Sequence, residues 1–142
     1  MSTRTGYYYG DSVATKRKQN TVTASATLTA SQLGEDFNIG TDALAMTLPL
    51  ITAAMVDQGE TYVFRNIGAD GNNIITVSPN ALDGINGSIA NAAADSVASG
   101  TVNKDIVNTK ATANKGDYIE LKPVALTTWY IVGGVGIWAS EA

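Results

Sequence analysis

Residues 44–138 alternate short apolar runs with turns rich in Gly, Asn and Asp. The clearest runs are residues 60–66, 74–78, 118–122 and 128–132. Each is rich in the β-branched and aromatic residues that favour strands. Several such runs at short spacing, separated by turn residues, are typical of a sandwich or a small barrel. The sequence therefore predicts an all-β domain, a small antiparallel β-sandwich or barrel.

The remaining segments give weaker indications of secondary structure. Residues 21–30 alternate apolar and hydroxyl side chains, which predicts one strand, and residues 35–39 predict a short second strand. Residues 44–50 alternate again, and Pro49 places that strand at an edge or turns its proline to the unpaired side. Residues 52–58 fit one helical turn or a loop. Residues 88–103 fit a helical turn plus loop or a surface excursion.

The last part of the chain completes this outline. Residues 68–73 predict a hairpin connection to the return strand 74–78. Residues 105–111 are a further candidate strand, residues 118–122 and 128–132 form the last pair, and residues 135–138 close the chain. One β domain over residues 21–142 follows, preceded by an arm over residues 1–20.

Charge is distributed unevenly between the arm and the body. The first 22 residues carry four basic residues against Asp11, a net charge of +3. The rest carries five basic and twelve acidic residues, a net charge of −7, which gives −4 for the chain. A basic arm on an acidic body suggests that the arm has a partner of its own.

Residues 1–20 show neither helical nor strand periodicity, so they are predicted to be an extended arm. A frayed terminus is the alternative. Three consecutive tyrosines favour docking, because tyrosine is enriched at interfaces. The predicted docking residues are Tyr7, Tyr8, Tyr9, Lys16, Arg17 and Lys18. Three adjacent cations give only weak, non-specific binding to nucleic acid, so an acidic protein surface fits them at least as well.

The composition argues against common active-site chemistry. The chain has no histidine and no cysteine, which removes the usual general base, ordinary zinc sites and disulfides. The carboxylates are scattered singly at turns, as turn geometry alone predicts. Residues 68–73 faintly resemble a calcium-binding turn, but a hairpin tip explains them better. We therefore expect no enzyme, no cofactor and no metal.

The composition also suits a protein that is packed against other copies of itself in an assembly. Only 15% of its residues are charged, against about 25% in ordinary domains, so its surface is unusually neutral. Trp129, Tyr130 and Trp138 could stack on sugars or bases, but such residues more often fill a core or an oligomer interface. We expect them in the trimer interface or the core. No apolar run reaches the length of a membrane span, and the N-terminus lacks the apolar region of a secretory signal.

A set of loose motifs resembles a small β module that recurs in virion proteins of tailed bacteriophages. The motifs are Leu48-Pro49, the group Gly59, Tyr62 and Phe64, residues 75–79 (I-T-V-S-P), residues 83–87 (D-G-I-N-G), residues 116–121 and residues 127–133 (T-T-W-Y-I-V-G). The resemblance covers roughly residues 44–138. Such modules occur in head-decoration proteins, head fibres and the ends of tail appendages.

The resemblance implies a homotrimer on the outside of a capsid or appendage, made in the cytoplasm of a bacterial host. The short chain with an N-terminal arm is similar to decoration (cement) proteins, which bind the major capsid protein and stabilise the shell. The alternative is the tip module of a head fibre or tail fibre, which adheres to host-surface glycans through exposed aromatic residues. Neither function involves a membrane or specific nucleic acid.

Overall fold

Two mixed β-sheets pack face to face in the structure, a computed structural model that describes residues 16–92 and 94–141. Strands make up 46% of the structure and helix 7%. The predicted all-β sandwich is therefore confirmed.

The elements follow one another along the chain in short steps. The strands are β1 (Gln19–Val22), β2 (Ala26–Thr27), β3 (Asp36–Ile39), β4 (Leu44–Thr47), β5 (Tyr62–Asn66), β6 (Ile75–Ser78), β7 (Gly84–Ile89), β8 (Ser96–Val102), β9 (Ile106–Asn108), β10 (Tyr118–Ala125), β11 (Thr128–Val135) and β12 (Trp138–Ser140). A 3-10 turn covers Ala30–Gln32, and one short helix, α1, covers Ala53–Gln58.

The first six strands wind between the two layers as a flattened coil. The large sheet has the order β1-β3-β5-β10-β11-β7-β8, and the small sheet has the order β12-β9-β6-β4-β2. Odd-numbered strands of the coil thus enter the large sheet and even-numbered strands enter the small one. Within each sheet these neighbours are parallel. Antiparallel pairing joins β10 to β5 and β11, β7 to β8, and β9 to β6 and β12.

This winding corrects three local expectations. The sheets are mixed rather than purely antiparallel. Residues 21–30 are not one strand, because β1 and β2 lie in opposite sheets. Residues 68–73 are not a hairpin, because they carry the chain from β5 in the large sheet to β6 in the small one. Alternating side chains specify which face of a strand is buried, but not which strand lies beside it.

Residues 84–102 hold an antiparallel pair that replaces the expected loop. Glycine, serine and alanine supply much of β7 and β8, so neither strand shows strong apolar alternation. β8 is an edge strand that buries only Ser96 and Ala98. Gly84 makes the close pairing possible, because a Cβ there would lie 2.2 Å from the carbonyl oxygen of Gly100.

Aromatic and aliphatic side chains from both sheets fill the space between them. Phe37 stacks on Phe64 with ring centroids 5.6 Å apart, and the Tyr62 ring lies 5.5 Å from that of Trp129. The Tyr62 hydroxyl donates to the carbonyl of Thr29 at 2.5 Å. Burial, with the nearby charge of Glu35, raises the pKa of Tyr62 well above its usual range.

The helix α1 closes the sandwich beside β10. The hydroxyl of Thr52 accepts from the Met55 amide and caps its start, while Gly59 ends it in the left-handed conformation at φ +69°. Met55 is the helix's buried contact with the core. Pro49 lies just beyond β4, where its missing N–H disrupts no ladder. Within residues 16–92 and 94–141, no helix is long and apolar enough to span a membrane.

Candidate functional site

The base of the predicted docking arm lies at a free edge of the large sheet. Within residues 16–92 and 94–141, β1 is the edge strand of this sheet and pairs with β3 alone. Because β1 begins at Gln19, the last two residues of the predicted arm belong to the sheet. Lys16 and Lys18 immediately before it are exposed. Tyr7, Tyr8 and Tyr9 lie outside the described residues.

Arg17 differs from the two lysines because its side chain is bound to the body. Its Nε lies 2.5 Å from Oδ1 of Asp36. Its Nη2 donates to the carbonyls of Thr61 at 2.8 Å and Glu35 at 3.1 Å. The Glu60 carboxylate lies 3.6 Å from Nη1. The side chain that was predicted to dock on a capsid is therefore used to hold the arm's base against β3 and the start of β5.

Asp36 is the acceptor at the centre of this junction, and the residue as a whole, backbone included, is only 8% exposed. Its second oxygen accepts from Gln19 at 2.9 Å and lies 3.6 Å from Nη1 of Arg65. Burial by itself raises the pKa of Asp36. The hydrogen bonds from Gln19 and Arg17 and the positive charges of Arg17 and Arg65 outweigh burial, so the pKa lies below its usual value.

A ladder of polar side chains continues from this junction across the outer face of the large sheet. Asn38 donates to the Gln19 side chain at 3.0 Å and accepts from Arg65 at 3.0 Å. The Arg65 guanidinium lies over the ring of Tyr118, 5.6 Å from its centroid. Four adjacent strands, β1, β3, β5 and β10, are thus linked by side chains as well as by their backbones.

The three aromatic residues assigned to a trimer interface or core occupy two environments. Trp129 and Trp138 are completely buried between the sheets. Trp138 donates through Nε1 to the Val135 carbonyl at 3.2 Å. Tyr130 points to the opposite face of β11 and is 38% exposed, between Lys122 and Asn86 on the neighbouring strands. The two tryptophans are therefore core residues, and only Tyr130 is available at the surface.

The structure contains a buried polar cluster that the sequence did not predict, formed by Asn66, Asn73, Asn108 and Asp117. All four side chains are at most 3% exposed. Asn66 donates to Oδ1 of Asn108 at 3.1 Å and accepts from Asn73 at 3.2 Å. Asn108 in turn donates to the Asp117 carboxylate at 3.1 Å and to the Ile137 carbonyl at 3.1 Å. The cluster joins the end of β5 in the large sheet to the end of β9 in the small one.

Two glycines give this buried polar cluster its space. A Cβ at Gly136 would lie 2.3 Å from the carboxyl carbon of Asp117, and one at Gly68 would lie 2.0 Å from the Asn73 amide nitrogen. Glycine beside Asn or Asp was the sequence signal for turns. These glycines have a second role, since they leave room for a buried side chain to approach the backbone. That role depends on tertiary contacts, which the local sequence does not show.

Residues 68–73 use their polar groups within the fold. Asp70 accepts from the Lys115 amide at 2.8 Å, and Asn73 turns inward to the buried polar cluster. Among the residues that the structure describes, no group of three or more acidic side chains could hold a metal ion. A cavity of about 570 Å³ lies beside Trp138, where mostly small side chains such as Ala94, Ser96 and Ala139 line it.

Comparison with known proteins gives no matching protein family and no significant match to a curated protein.

Proposed function

We propose that this protein is a structural virion protein, a capsid decoration (cement) protein that binds the outside of a phage head as a trimer and stabilises the shell. Its partner is the major capsid protein. The proposal rests on the resemblance of residues 44–138 to phage virion modules, on the low content of charged residues and on the arm junction described above. It involves no catalysis, membrane or specific nucleic acid.

The observation that carries the proposal is the attachment of Arg17 to Asp36 and to the carbonyls of Thr61 and Glu35. A cement protein must transmit force from its capsid contact to its own body. Arg17 joins the base of the arm to two segments of the sandwich, the start of β3 and the residue before β5, so a pull on the arm is spread over both strands. A frayed terminus has no need of such an attachment.

Lys16 and Lys18 flank this attachment and are exposed. In the proposal they contact acidic groups of the major capsid protein, while Tyr7, Tyr8 and Tyr9 supply apolar area. No other strand among the described residues pairs with the outer edge of β1, and an extended capsid segment could add to that edge as a further strand. Three arms in a trimer multiply a weak single contact through avidity.

Co-sedimentation with purified undecorated phage heads tests the proposal. We expect the full chain to bind, and deletion of residues 1–15 to abolish binding while the far-UV circular dichroism spectrum stays unchanged. The charge reversal Lys16→Glu with Lys18→Glu should weaken binding and flatten its salt dependence. The matched control reverses two other lysines, Lys115→Glu with Lys122→Glu, and should bind as the full chain does. Normal coating by the truncated chain would disprove the role of the arm.

The alternative, a glycan-binding fibre tip, has weaker support. It requires exposed aromatic rings, and of Trp129, Tyr130 and Trp138 only Tyr130 is exposed. A glycan array compares the two functions directly. Specific glycan binding that Tyr130→Ala removes, together with no binding to heads, would favour the fibre-tip function.

A further inference from the structure

One end of the sandwich carries five exposed aliphatic side chains, which we call the apolar end: Leu50, Leu82, Val102, Val124 and Leu126. Each is between 46% and 64% exposed. They come from four separate segments of the chain. Isolated exposed aliphatic residues are ordinary, but a group of them at one place marks an interaction surface.

Backbone contacts to Asp83 and Gly84 bring these segments together. The buried Asp83 carboxylate accepts from the Ile51 amide at 3.0 Å, and its carbonyl accepts from the Asn103 amide at 2.9 Å. Gly84 donates to the Thr127 carbonyl at 2.8 Å. Leu50, Val102 and Leu126 are the chain neighbours of these three partners, and Leu82 precedes Asp83. The apolar end is therefore built by a specific set of contacts.

Backbone strain is concentrated at the same place. Asn103 and Thr127 have φ angles of +60° and +73°. The left-handed region is uncommon for side chains other than glycine, and a β-branched threonine there is a clear outlier. The hydrogen bonds to Asp83 and Gly84 hold both residues in this conformation. Such strain persists only where the surrounding structure fixes it, and it is commoner at functional surfaces than elsewhere.

The charge distribution indicates a second copy of this chain as the occupant. Residues 49–52, 80–84, 102–103 and 123–128 contain one ionisable side chain, Asp83, and it is fully buried. The chain as a whole carries −4, so copies repel one another at long range, and a face without exposed charge adds nothing to this repulsion when two copies meet there. At the apolar end they would bury aliphatic groups inside a rim of neutral polar residues such as Asn80, Asn103 and Thr127, without bringing an exposed charge into the contact.

We infer that the apolar end is the contact between copies of this chain. The inference deepens the proposed function, since it rests on the trimer and gives that trimer its contact surface. Of Trp129, Tyr130 and Trp138, which were predicted for the trimer interface or the core, the two tryptophans are buried within one copy, and the inference assigns the contact between copies to the apolar end instead.

Sedimentation velocity over a concentration series tests this contact. Leu82→Asp with Leu126→Asp places two charges in the apolar end, and we expect the dissociation constant of the oligomer to rise at least about 100-fold. The matched control is Val97→Asp with Val135→Asp, which are also exposed. Val97 lies five residues along β8 from Val102, or about 16 Å. The control should remain oligomeric. Leu50→Asp with Val102→Asp repeats the test if the first variant does not fold.

The outcomes separate this contact from the proposed function. A monomeric wild-type chain, an apolar-end variant that stays oligomeric, or a control that dissociates equally would each overturn the inference. If the wild-type chain is a monomer and the apolar-end variant no longer binds heads, the surface contacts the capsid instead of a second copy. An oligomer that dissociates as expected supports the inference even if the wild-type chain does not bind heads, a result that would refute the proposed function alone.

Discussion

The guanidinium of Arg17 and the carboxylate of Asp36 lie 2.5 Å apart. This ion pair joins the segment just before β1 to the first residue of β3. Both side chains are partly withdrawn from solvent, 26% and 11% exposed. A charge-assisted hydrogen bond with such partners is stronger than an exposed ion pair. The pair therefore contributes to folding, whatever the arm itself binds.

Replacement of Arg17 with alanine should lower the free energy of unfolding by about 1–3 kcal/mol. The change removes the bond to Asp36 and leaves the carbonyls of Thr61 and Glu35 without this donor. Urea denaturation measures the difference. Lys16→Ala is the control, because an exposed side chain at the same place should change the free energy by less than about 0.5 kcal/mol. Equal effects of the two substitutions would contradict the assignment of Arg17 to the body.

The lowered pKa of Asp36 predicts how stability depends on pH. A carboxyl whose pKa is lower in the folded state adds stability above its unfolded pKa, about 3.9, and loses it as the pH falls through the folded value. The stability difference between wild type and Asp36→Asn should therefore be largest above about pH 4 and shrink below it. Denaturation curves at several pH values check this. A difference that stays constant down to pH 2 would contradict it.

Gly136 and Gly116 allow steric clash to be separated from backbone strain. Their φ angles are nearly equal, +98° and +97°. A Cβ at Gly116 would have no neighbour within 4 Å, whereas one at Gly136 would lie 2.3 Å from the Asp117 carboxyl carbon. Gly116→Ala should cost about 1–2 kcal/mol, the strain alone. Gly136→Ala should cost about 1–3 kcal/mol more, because the buried polar cluster must move. Equal thermal stabilities would exclude the clash.

The pairing of β10 with β11 was predictable because the two strands are consecutive in the chain and are joined by a short turn. Ile119 and Leu121 alternate with Glu120 and Lys122, and the return strand carries Trp129 and Ile131 at the same two-residue spacing. The turn between them joins neighbours in one sheet. Sequence periodicity and the sheet partner agree here, so the prediction holds.

The winding of the first half was not predictable from the same kind of pattern. Val22 and Leu28 belong to one alternating run, yet the chain crosses between sheets before Ala26. A strand with alternating apolar residues can bury its apolar face equally well in either sheet, so the alternation does not tell which sheet the strand joins. The buried polar cluster was missed for a related reason. Asn66 is buried against Asn108, 42 positions away, and an isolated asparagine at a strand end has the same sequence signature as a turn residue.

The buried polar cluster should contribute strongly to stability. Asn108→Ala removes the partner of Asn66 and Asp117 in a site with no exposure, and an unsatisfied buried polar group costs about 1–3 kcal/mol. With two partners affected, we expect a loss of about 2–4 kcal/mol, measured by chemical denaturation. Asn72→Ala, at an exposed position in the adjoining loop, should stay within about 0.5 kcal/mol of wild type. A loss at Asn108 no greater than at Asn72 would show that the cluster is replaceable by water.

Trp129 and Tyr130 are chain neighbours on opposite faces of β11. Substitutions at these two positions therefore compare a buried aromatic side chain with an exposed one on the same strand. Trp129→Ala empties a completely buried site beside Tyr62, and we expect it to lower the free energy of unfolding by about 3–5 kcal/mol. Tyr130→Ala removes a ring that is 38% exposed and should cost less than about 1 kcal/mol. Denaturation at protein concentrations below and above that at which the proposed oligomer would form separates folding from association. The Trp129→Ala loss should be the same at both concentrations, because the side chain packs within one copy. A loss that appears only when the chain is oligomeric would return Trp129 to the interface between copies.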